Sequence, residues 1–196
     1  MNNEQRLEEL FNIPRMGHVW NGTLPLDPGN SVEGIYDMIK KHFKKDFVMV
    51  EVGSFQGTST MLFSMFCKKV YSVDCYDYPV PPSGRIPSHD QTFVDAENIF
   101  IERLKNMDNV EKIKKHSLDA VQDFENESLD AVYIDAEHDF HNVLIDIRAW
   151  KDKVKKGGIL CGHDWSLPFL PKILSDEGLI NELSTYKDDS WSLIIK

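Results

Sequence analysis

The sequence predicts a single α/β domain in which buried parallel strands alternate with helices. The clearest indication is the stretch Phe47–Phe66, where an apolar run interrupted by Glu51 leads into a glycine turn and then into a second apolar segment. The first run is typical of a parallel strand buried on both faces, and the second of a helix packed on a sheet. Short apolar runs and helical patterns alternate onward to the C-terminus. A chain of 196 residues has the length of one domain.

Composition narrows the class of partner. Hydrophobic residues make up 41% and charged residues 28%, as in ordinary globular proteins. The formal net charge of −10 disfavours binding to bulk nucleic acid or to an anionic membrane and favours a small-molecule substrate. The N-terminal sequence MNNEQRLEEL is not a signal peptide and no apolar run is long enough to span a membrane, so we expect a cytoplasmic protein.

The elements before the first strand follow from local signals. Residues 1–30 are rich in Gly, Pro and Asn after a short helical start, which predicts an N-terminal arm or cap. Ser31 is a suitable N-cap for a helix over Val32–Phe43. That helix leads to the first strand, Phe47–Gly53, and a helix over Thr58–Cys67 follows the turn.

The glycine turn predicts a ligand site. Its spacing is Glu51-x-Gly53-x-x-x-Gly57, without the third glycine of the dinucleotide pattern G-x-G-x-x-G. Glycines let a ligand approach the backbone closely, and the start of the following helix offers unpaired N–H groups. A carboxylate beside the turn suits a cation or zwitterion better than a second anion. An ordinary strand-to-helix turn and an NAD-linked oxidoreductase remain alternatives at this point.

The second strand, Val70–Tyr76, predicts a nucleoside contact. Asp74 lies near its carboxyl end, 21 residues after Gly53, where a carboxylate can accept hydrogen bonds from both ribose hydroxyls. Capping of the strand end is the alternative role for Asp74. The proline-rich segment 77–91 must be irregular, which predicts a substrate loop or lid.

The remaining elements continue the alternation. We predict helices over Thr92–Met107, Leu118–Phe124, Asn142–Lys153 and within Pro168–Leu183, strands over Val110–His116, Leu129–Asp135 and Ile159–Gly162, and a hairpin over Ser184–Lys196. Lys155–Gly158 is expected to end the third of these helices with cationic residues and a glycine cap.

Three blocks in order carry a resemblance to a known family. The segments VEVGSFQGTST, LDAVYIDAEH and GGILCGHDW resemble the class I S-adenosylmethionine (SAM)-dependent methyltransferases, and within them a bacterial group that includes macrolide-sugar O-methyltransferases and cephalosporin-biosynthesis methyltransferases. The likeness covers about residues 47–165. It implies a Rossmann-like class I fold, with a mostly parallel seven-stranded sheet and an antiparallel C-terminal strand, for which SWSLIIK is suitable.

The resemblance implies SAM as cofactor. The methionine part of SAM would lie at the glycine turn, Asp74 would bind the ribose, Ser117 would lie near the adenine, and Asp135 would also face the cofactor. The residues of the turn that carry over are Glu51, Gly53, Ser54, Gln56 and Gly57.

The same resemblance implies a divalent cation. In the family's strand order the first, fourth and fifth strands are neighbours, so Asp135 and Asp164 would converge, and two carboxylates suit Mg²⁺. His163 occupies a ligand position where the family has an acidic residue. Imidazole binds Mg²⁺ less well than carboxylate does, so Mn²⁺ or Fe²⁺ could compete there.

The predicted base is His138, three residues after Asp135, with His141 as the local rival. The predicted function is SAM-dependent O-methylation of a hydroxyl on a small molecule or sugar, assisted by a divalent cation. An NAD-linked oxidoreductase and a non-catalytic domain that binds the cofactor or a partner are the alternatives.

Overall fold

A computed structural model describes residues 5–7, 10, 32–77, 95–180 and 182–196. The predicted arm over residues 1–30 lies largely outside these residues, as do Ser31, Thr92 and nearly all of the predicted loop 77–91. Within the described part, no helix has both the length and the apolar character needed to cross a membrane.

Seven strands form one sheet. They are β1 (Val48–Val52), β2 (Lys69–Val73), β3 (Val110–Ile113), β4 (Leu129–Ile134), β5 (Val154–Gly162), β6 (Ser184–Thr185) and β7 (Trp191–Ile194), in the spatial order β3-β2-β1-β4-β5-β7-β6. The pairs from β3 to β5 are parallel, whereas β7 pairs antiparallel with both β5 and β6. The predicted α/β fold, with a mostly parallel seven-stranded sheet and an antiparallel C-terminal strand, is confirmed.

Helices pack on both faces of this sheet. They are α1 (Glu33–His42), α2 (Thr58–Phe66), α3 (Ala96–Leu104), α4 (Ser117–Ala120), α5 (Phe140–Lys151) and α6 (Leu170–Asp176), with a 3₁₀ turn over Val121–Asp123 after α4. Because side chains alternate along a strand, β1 directs Val50 and Val52 to a core that contains Trp150, and Met49 to the opposite core, which contains Phe63. The central strands are therefore buried on both faces, as their apolar sequence predicts.

The predicted bounds of the helix before β5 and of the start of β5 are wrong. Lys155–Gly158 does not end a helix but forms the first half of β5, where the Gly157 N–H donates to the Ile195 carbonyl at 2.7 Å. The preceding helix ends at Lys151. It also begins earlier than predicted, because the Asp139 side chain accepts the backbone N–H groups of His141 and Asn142 and so caps it.

The first four strands end one to three residues earlier than predicted. Their last residues are Val52, Val73, Ile113 and Ile134, so Gly53, Asp74 and Asp135 are the first residues of exit loops rather than parts of strands. All the predicted site residues on these loops therefore lie at one edge of the sheet, where the parallel strands end.

We predict that Gly57→Ala destabilises the fold more than Gly178→Ala does. Both glycines have positive φ, 74° and 71°, so each substitution carries a backbone cost of about 1–2 kcal/mol. A Cβ on Gly57 would also lie 2.7 Å from a ring carbon of Phe100 and 2.8 Å from Leu104, whereas a Cβ on Gly178 meets nothing within 4 Å. Overpacking at Gly57 should add about 1–3 kcal/mol. Urea unfolding of both variants measures the difference, and equal losses would contradict the packing role.

Candidate active site

One ladder of backbone hydrogen bonds aligns the exit loops. The residue that follows each of four neighbouring strands donates its N–H to the carbonyl of the last residue of the next strand. The four bonds are His163 to Ile134 at 3.1 Å, Asp135 to Val52 at 2.8 Å, Gly53 to Val73 at 2.9 Å and Asp74 to Ile113 at 3.2 Å. The predicted functional residues come from four separate stretches of sequence, and these bonds place the starts of the four loops side by side along one edge of the sheet.

Gly53 is required by close packing between two exit loops. Its φ is 87°, and a Cβ added to it would lie 2.1 Å from the Asp135 carbonyl oxygen. The glycine turn thus rests directly on the backbone of the predicted metal ligand. Phe55, inside the turn, has φ of 47°, which is unusual for a bulky residue and is a form of strain that often accompanies functional loops.

Asp74 holds the glycine turn in place. Its Oδ2 accepts the N–H groups of Ser54 at 3.0 Å and Phe55 at 2.8 Å, and its Oδ1 accepts that of Tyr76 at 2.8 Å. The carboxylate therefore joins the ends of β1 and β2. This contact makes Asp74 a structural part of the turn, and its predicted role as a ribose ligand stays a prediction.

Glu51 lies beneath the turn rather than on its open side. Its side chain is 0% exposed, and Oε2 accepts hydrogen bonds from the Thr60 hydroxyl and, at 3.4 Å, from the Ser72 hydroxyl. Burial raises the pKa of Glu51 to about 7, while the neighbouring hydroxyls oppose that shift. Glu51 follows core residue Met49 by two positions on β1, so both side chains point to the same face of the sheet, and this inward direction follows from strand periodicity.

Arg103 provides a contact that the sequence analysis did not identify. From α3 its guanidinium donates to the Gln56 carbonyl at 2.6 Å and to the Thr58 hydroxyl at 2.7 Å. These bonds fix the second half of the glycine turn from the helix side. The partners are 45 and 47 residues apart in sequence, so no local pattern marks the pair.

Asp135, His138 and Asp164 form a cluster between the ends of β4 and β5. The Nε2 atom of His138 lies 3.0 Å from Asp164 Oδ2 and 3.5 Å from Asp135 Oδ1. One ligand atom from each of the three residues lies within 4.8 Å of the other two, which is close enough to share a metal ion. The side chains are 25–30% exposed, whereas the Nε2 atom of His138, which faces the carboxylates, is buried.

The electrostatics of His138 follow from this cluster. A hydrogen bond to Asp135 raises the pKa of His138 above its usual value, burial opposes this shift, and the nearby charge of Asp164 adds to it. His141, the rival base, has an exposed side chain and lies beyond the helix cap at Asp139. The structure therefore brings His138, and not His141, to the two aspartates.

His163 contacts Asp164. Its Nε2 donates to the Asp188 carbonyl at 2.6 Å, and its Nδ1 lies 3.2 Å from Asp164 Oδ1. The Trp191 indole N–H in turn donates to the His163 carbonyl at 2.9 Å. Asp164 itself has φ of 59°, a conformation that aspartate tolerates better than most residues. His163 thus orients a strained Asp164. A ligand role was predicted for His163, but the histidine in the three-residue cluster is His138.

Ser117 begins α4 and joins a buried polar group. Its hydroxyl donates to Asp146 Oδ1 and accepts the indole N–H of Trp150 at 2.8 Å. Both partners are on α5, about 30 residues further along the chain. The sequence analysis predicted Ser117 as a cofactor residue but did not identify Asp146.

The comparisons with known proteins establish the family. Residues 50–165, more than half of the chain, match the family described as "Methyltransferase domain". The chain therefore belongs to this methyltransferase family, and the predicted membership of the class I SAM-dependent methyltransferases is confirmed at that level. A search of curated proteins returned no significant match.

Solved structures show the same fold. An rRNA methylase from Streptococcus thermophilus is 15% identical, with 83% of this chain and 95% of that chain covered and a TM-score of 0.57. A precorrin-6y C5,15-methyltransferase from Geobacter metallireducens is 15% identical, with coverages of 89% and 84% and a TM-score of 0.58. Aeropyrum pernix fibrillarin with bound SAM is 16% identical, with coverages of 76% and 66% and a TM-score of 0.51. These likenesses concern the fold and do not single out the macrolide-sugar and cephalosporin group.

We predict that Glu51→Gln makes the protein more stable relative to wild type as pH rises. The pKa of about 7 in the folded protein lies above the usual glutamate value of 4.5, so ionisation of Glu51 costs stability progressively as pH rises from 4.5 to 7. Gln keeps an acceptor for Thr60 and Ser72 but does not ionise. The difference in unfolding free energy should therefore shift by about 2–3 kcal/mol in favour of the variant between about pH 5 and pH 8.

Denaturant unfolding across that pH range measures this shift, with Glu125→Gln as the control because the Glu125 side chain is exposed to solvent. A difference for Glu51→Gln that stays constant with pH would show that Glu51 does not titrate in this range.

Proposed function

We propose that this protein is a SAM-dependent O-methyltransferase that acts on a hydroxyl of a small molecule or sugar with the help of a divalent cation. The observation that carries the proposal is the cluster of Asp135, His138 and Asp164, whose ligand atoms lie within 4.8 Å of one another beside the glycine turn. Two carboxylates and one imidazole at the cofactor edge are the groups needed to orient a hydroxyl and to receive its proton.

The cofactor would lie along the exit loops of β1, β2 and β3. In this proposal the methionine part of SAM contacts the turn over residues 53–57, whose two glycines leave the backbone accessible. Asp74 would accept the ribose hydroxyls, because its carboxylate lies at the end of β2 directly against the glycine turn. Glu51 lies below the turn, so we assign it to supporting the turn.

The donor set fits a divalent cation. Asp135 and Asp164 supply hard oxygen ligands that suit Mg²⁺, and the neighbouring imidazole nitrogen of His138 would also be accepted by Mn²⁺ or Fe²⁺. Asp135 and Asp164 would hold the ion. When bound, it would lower the pKa of an acceptor hydroxyl and fix the orientation of that hydroxyl.

His138 is placed to accept the proton of the acceptor. Its Nε2 atom faces the two carboxylates, 3.0 Å from Asp164 and 3.5 Å from Asp135. The negative charge of these groups stabilises the imidazolium that forms when Nε2 takes up a proton. Methyl transfer is a direct displacement, so the rest of the catalytic effect would come from alignment of the hydroxyl with the methyl group and from exclusion of water.

The acceptor is proposed on charge and on surface chemistry. The net charge of −10 favours a small molecule over bulk nucleic acid, although the compared structures include enzymes named for rRNA and for precorrin. Phe140, which is 49% exposed, follows His138 by two residues and contacts Phe169 edge-on at 5.6 Å. This pair offers an apolar surface next to the cluster on which the ring of an acceptor could rest.

Of the two alternatives, family membership argues against an NAD-linked oxidoreductase. A domain that binds the cofactor without turnover is distinguished by experiment.

We predict that the wild-type protein binds S-adenosylhomocysteine with micromolar affinity in calorimetric titration, because the glycine turn and Asp74 are already ordered by their own contacts. NADH serves as the control ligand. Binding of NADH and not of S-adenosylhomocysteine would overturn the proposed cofactor.

We predict that Asp164→Ala weakens Mn²⁺ binding at least about tenfold and leaves S-adenosylhomocysteine binding within about threefold of wild type. Asp164 belongs to the cluster but lies after β5, away from the turn that would contact the cofactor. Electron paramagnetic resonance of added Mn²⁺ reports the affinity without need of an acceptor. Asp176→Ala, which removes an exposed carboxylate from α6, is the charge-matched control.

If Asp164→Ala binds Mn²⁺ as tightly as Asp176→Ala does, the metal role is wrong. Methylation of a screened acceptor by the wild-type protein, lost in His138→Gln, would then separate an enzyme from a domain that only binds the cofactor.

A further inference from the structure

The hairpin turn between β6 and β7 contacts the exit loop that carries Asp164. The turn comprises residues 186–190. The Nε2–H of His163 donates to the Asp188 carbonyl in this turn at 2.6 Å. The indole N–H of Trp191, at the start of β7, donates to the His163 carbonyl at 2.9 Å. His163 is therefore held to the hairpin by both its side chain and its backbone.

Asp189 holds the other side of that exit loop. Its backbone carbonyl accepts the Trp165 N–H at 2.9 Å. Its carboxylate accepts the Ser166 hydroxyl at 2.6 Å and the Ser166 N–H at 3.1 Å. Residues on both sides of Asp164 are thus bound to the hairpin turn.

Asp164 depends on this support because its backbone is strained. Its φ is 59°, and a residue other than glycine keeps such a conformation only where its surroundings determine it. In this conformation Asp164 Oδ2 lies 3.0 Å from His138 Nε2. A change of φ to the ordinary negative region would turn the Asp164 side chain away from the cluster.

The hairpin turn is itself anchored in the core. Asp188 is 3% exposed, and its carboxylate accepts the Ile35 N–H at 2.7 Å and the Ser190 N–H at 3.1 Å. A Cβ added to Gly34 would lie 1.9 Å from Asp188 Oδ1, so the turn packs directly on the first turn of α1. The hairpin turn is therefore a fixed support for the exit loop of β5.

The side chain and the backbone of Asp189 have separable roles. Within the described part of the chain, both groups that donate to its carboxylate belong to Ser166. Asp189 also has φ of 69°, a conformation that aspartate and asparagine tolerate better than most residues. The turn could therefore require Asp189 for its backbone alone. Substitutions distinguish the two roles, because glycine satisfies the backbone and lacks the carboxylate.

We propose that Asp189 is a positioning residue for the candidate metal site. Through Ser166 it holds the exit loop of β5 in the conformation that directs Asp164 to the other two members of the cluster. The inference rests on the proposed function, because it takes Asp164 as a ligand of the divalent cation. Asp189 itself would contact neither the ion nor the acceptor.

The effect of Asp189 should be confined to the metal site. The proposed cofactor turn is held by Asp74 and Arg103, from the exit loop of β2 and from α3, and neither of these contacts involves the hairpin turn. A positioning role therefore predicts weaker metal binding with unchanged cofactor binding. A general loss of folding would lower both.

The test measures Mn²⁺ binding by electron paramagnetic resonance and S-adenosylhomocysteine binding by calorimetry in Asp189→Gly, Asp189→Asn and Ser166→Ala. Asparagine tolerates the positive φ and keeps an amide oxygen that can accept from Ser166. Ser166→Ala removes one of the two donors from an exposed residue and keeps the backbone of the hairpin turn intact. Glu182→Gly is the matched control, because Glu182 is exposed, has φ of 59° and pairs with Lys196.

We expect Asp189→Gly to weaken Mn²⁺ binding about fivefold and Ser166→Ala about threefold relative to Glu182→Gly, and Asp189→Asn to stay within about twofold of wild type. S-adenosylhomocysteine binding should stay within about threefold of wild type in every variant. Added to Asp164→Ala, the Asp189→Gly substitution should weaken Mn²⁺ binding no further, because the ligand that it positions is absent.

Three outcomes would overturn the inference while the proposed function stands. They are Mn²⁺ binding in Asp189→Gly as tight as in Glu182→Gly, equal losses of Mn²⁺ and S-adenosylhomocysteine affinity, and a loss that persists undiminished when Asp164 is already alanine. If Asp164→Ala and the wild-type protein bind Mn²⁺ equally, the metal role in the proposed function is wrong and the inference with it.

Discussion

The ladder of hydrogen bonds across the carboxyl edge of the sheet is the constraint on which the site depends. The exit loops of β5, β4, β1 and β2 each begin with a residue whose N–H is bound to the end of the neighbouring strand, from His163 to Asp74. The first atoms of these four loops are therefore placed by the sheet, and only the turns beyond them differ. The contact of Gly53 with the Asp135 backbone tightens this arrangement, because any side chain at Gly53 would separate the cofactor turn from the cluster. The proposed cofactor site and the candidate metal cluster are therefore joined through this backbone contact.

Much of the fold followed from sequence because the strongest patterns are local. The apolar runs of β1 and β4 and the glycine turn are visible within short windows, and the resemblance supplied the strand order that brings Asp135 and Asp164 together. The bounds were less predictable where tertiary contacts override local signals. Lys155–Gly158 has the composition of a helix end, but pairing with the C-terminal segment extends β5 through it.

The supporting residues of the site could not be predicted, and the reason is distance along the chain. Arg103 acts on the turn from 47 residues away, and Asp146 acts on Ser117 from 29 residues away. Asp188 binds His163 through its carbonyl and caps α1 through its side chain, at the Ile35 N–H, 153 residues away. None of these contacts depends on a motif, since each requires only that folding bring a donor to an acceptor. Sequence motifs identify the residues predicted to face a ligand. The residues that hold those side chains and turns in position are identified only from the structure.

Partner chemistry separates the carboxylates near this edge into distinct roles. Asp74 accepts three backbone N–H groups, so it fixes the turn. Glu51 and Asp146 are buried and are bound mainly by hydroxyl groups. Burial makes their ionisation costly and raises the pKa of each. Their role is to accept hydrogen bonds from neighbouring side chains. Asp135 and Asp164 differ from both sets, because they remain partly exposed and share the imidazole of His138. An imidazole is a partner that can release or accept a proton at physiological pH, whereas a backbone N–H cannot. The two carboxylates that can respond to a ligand are therefore the two whose protein partner can also change its charge.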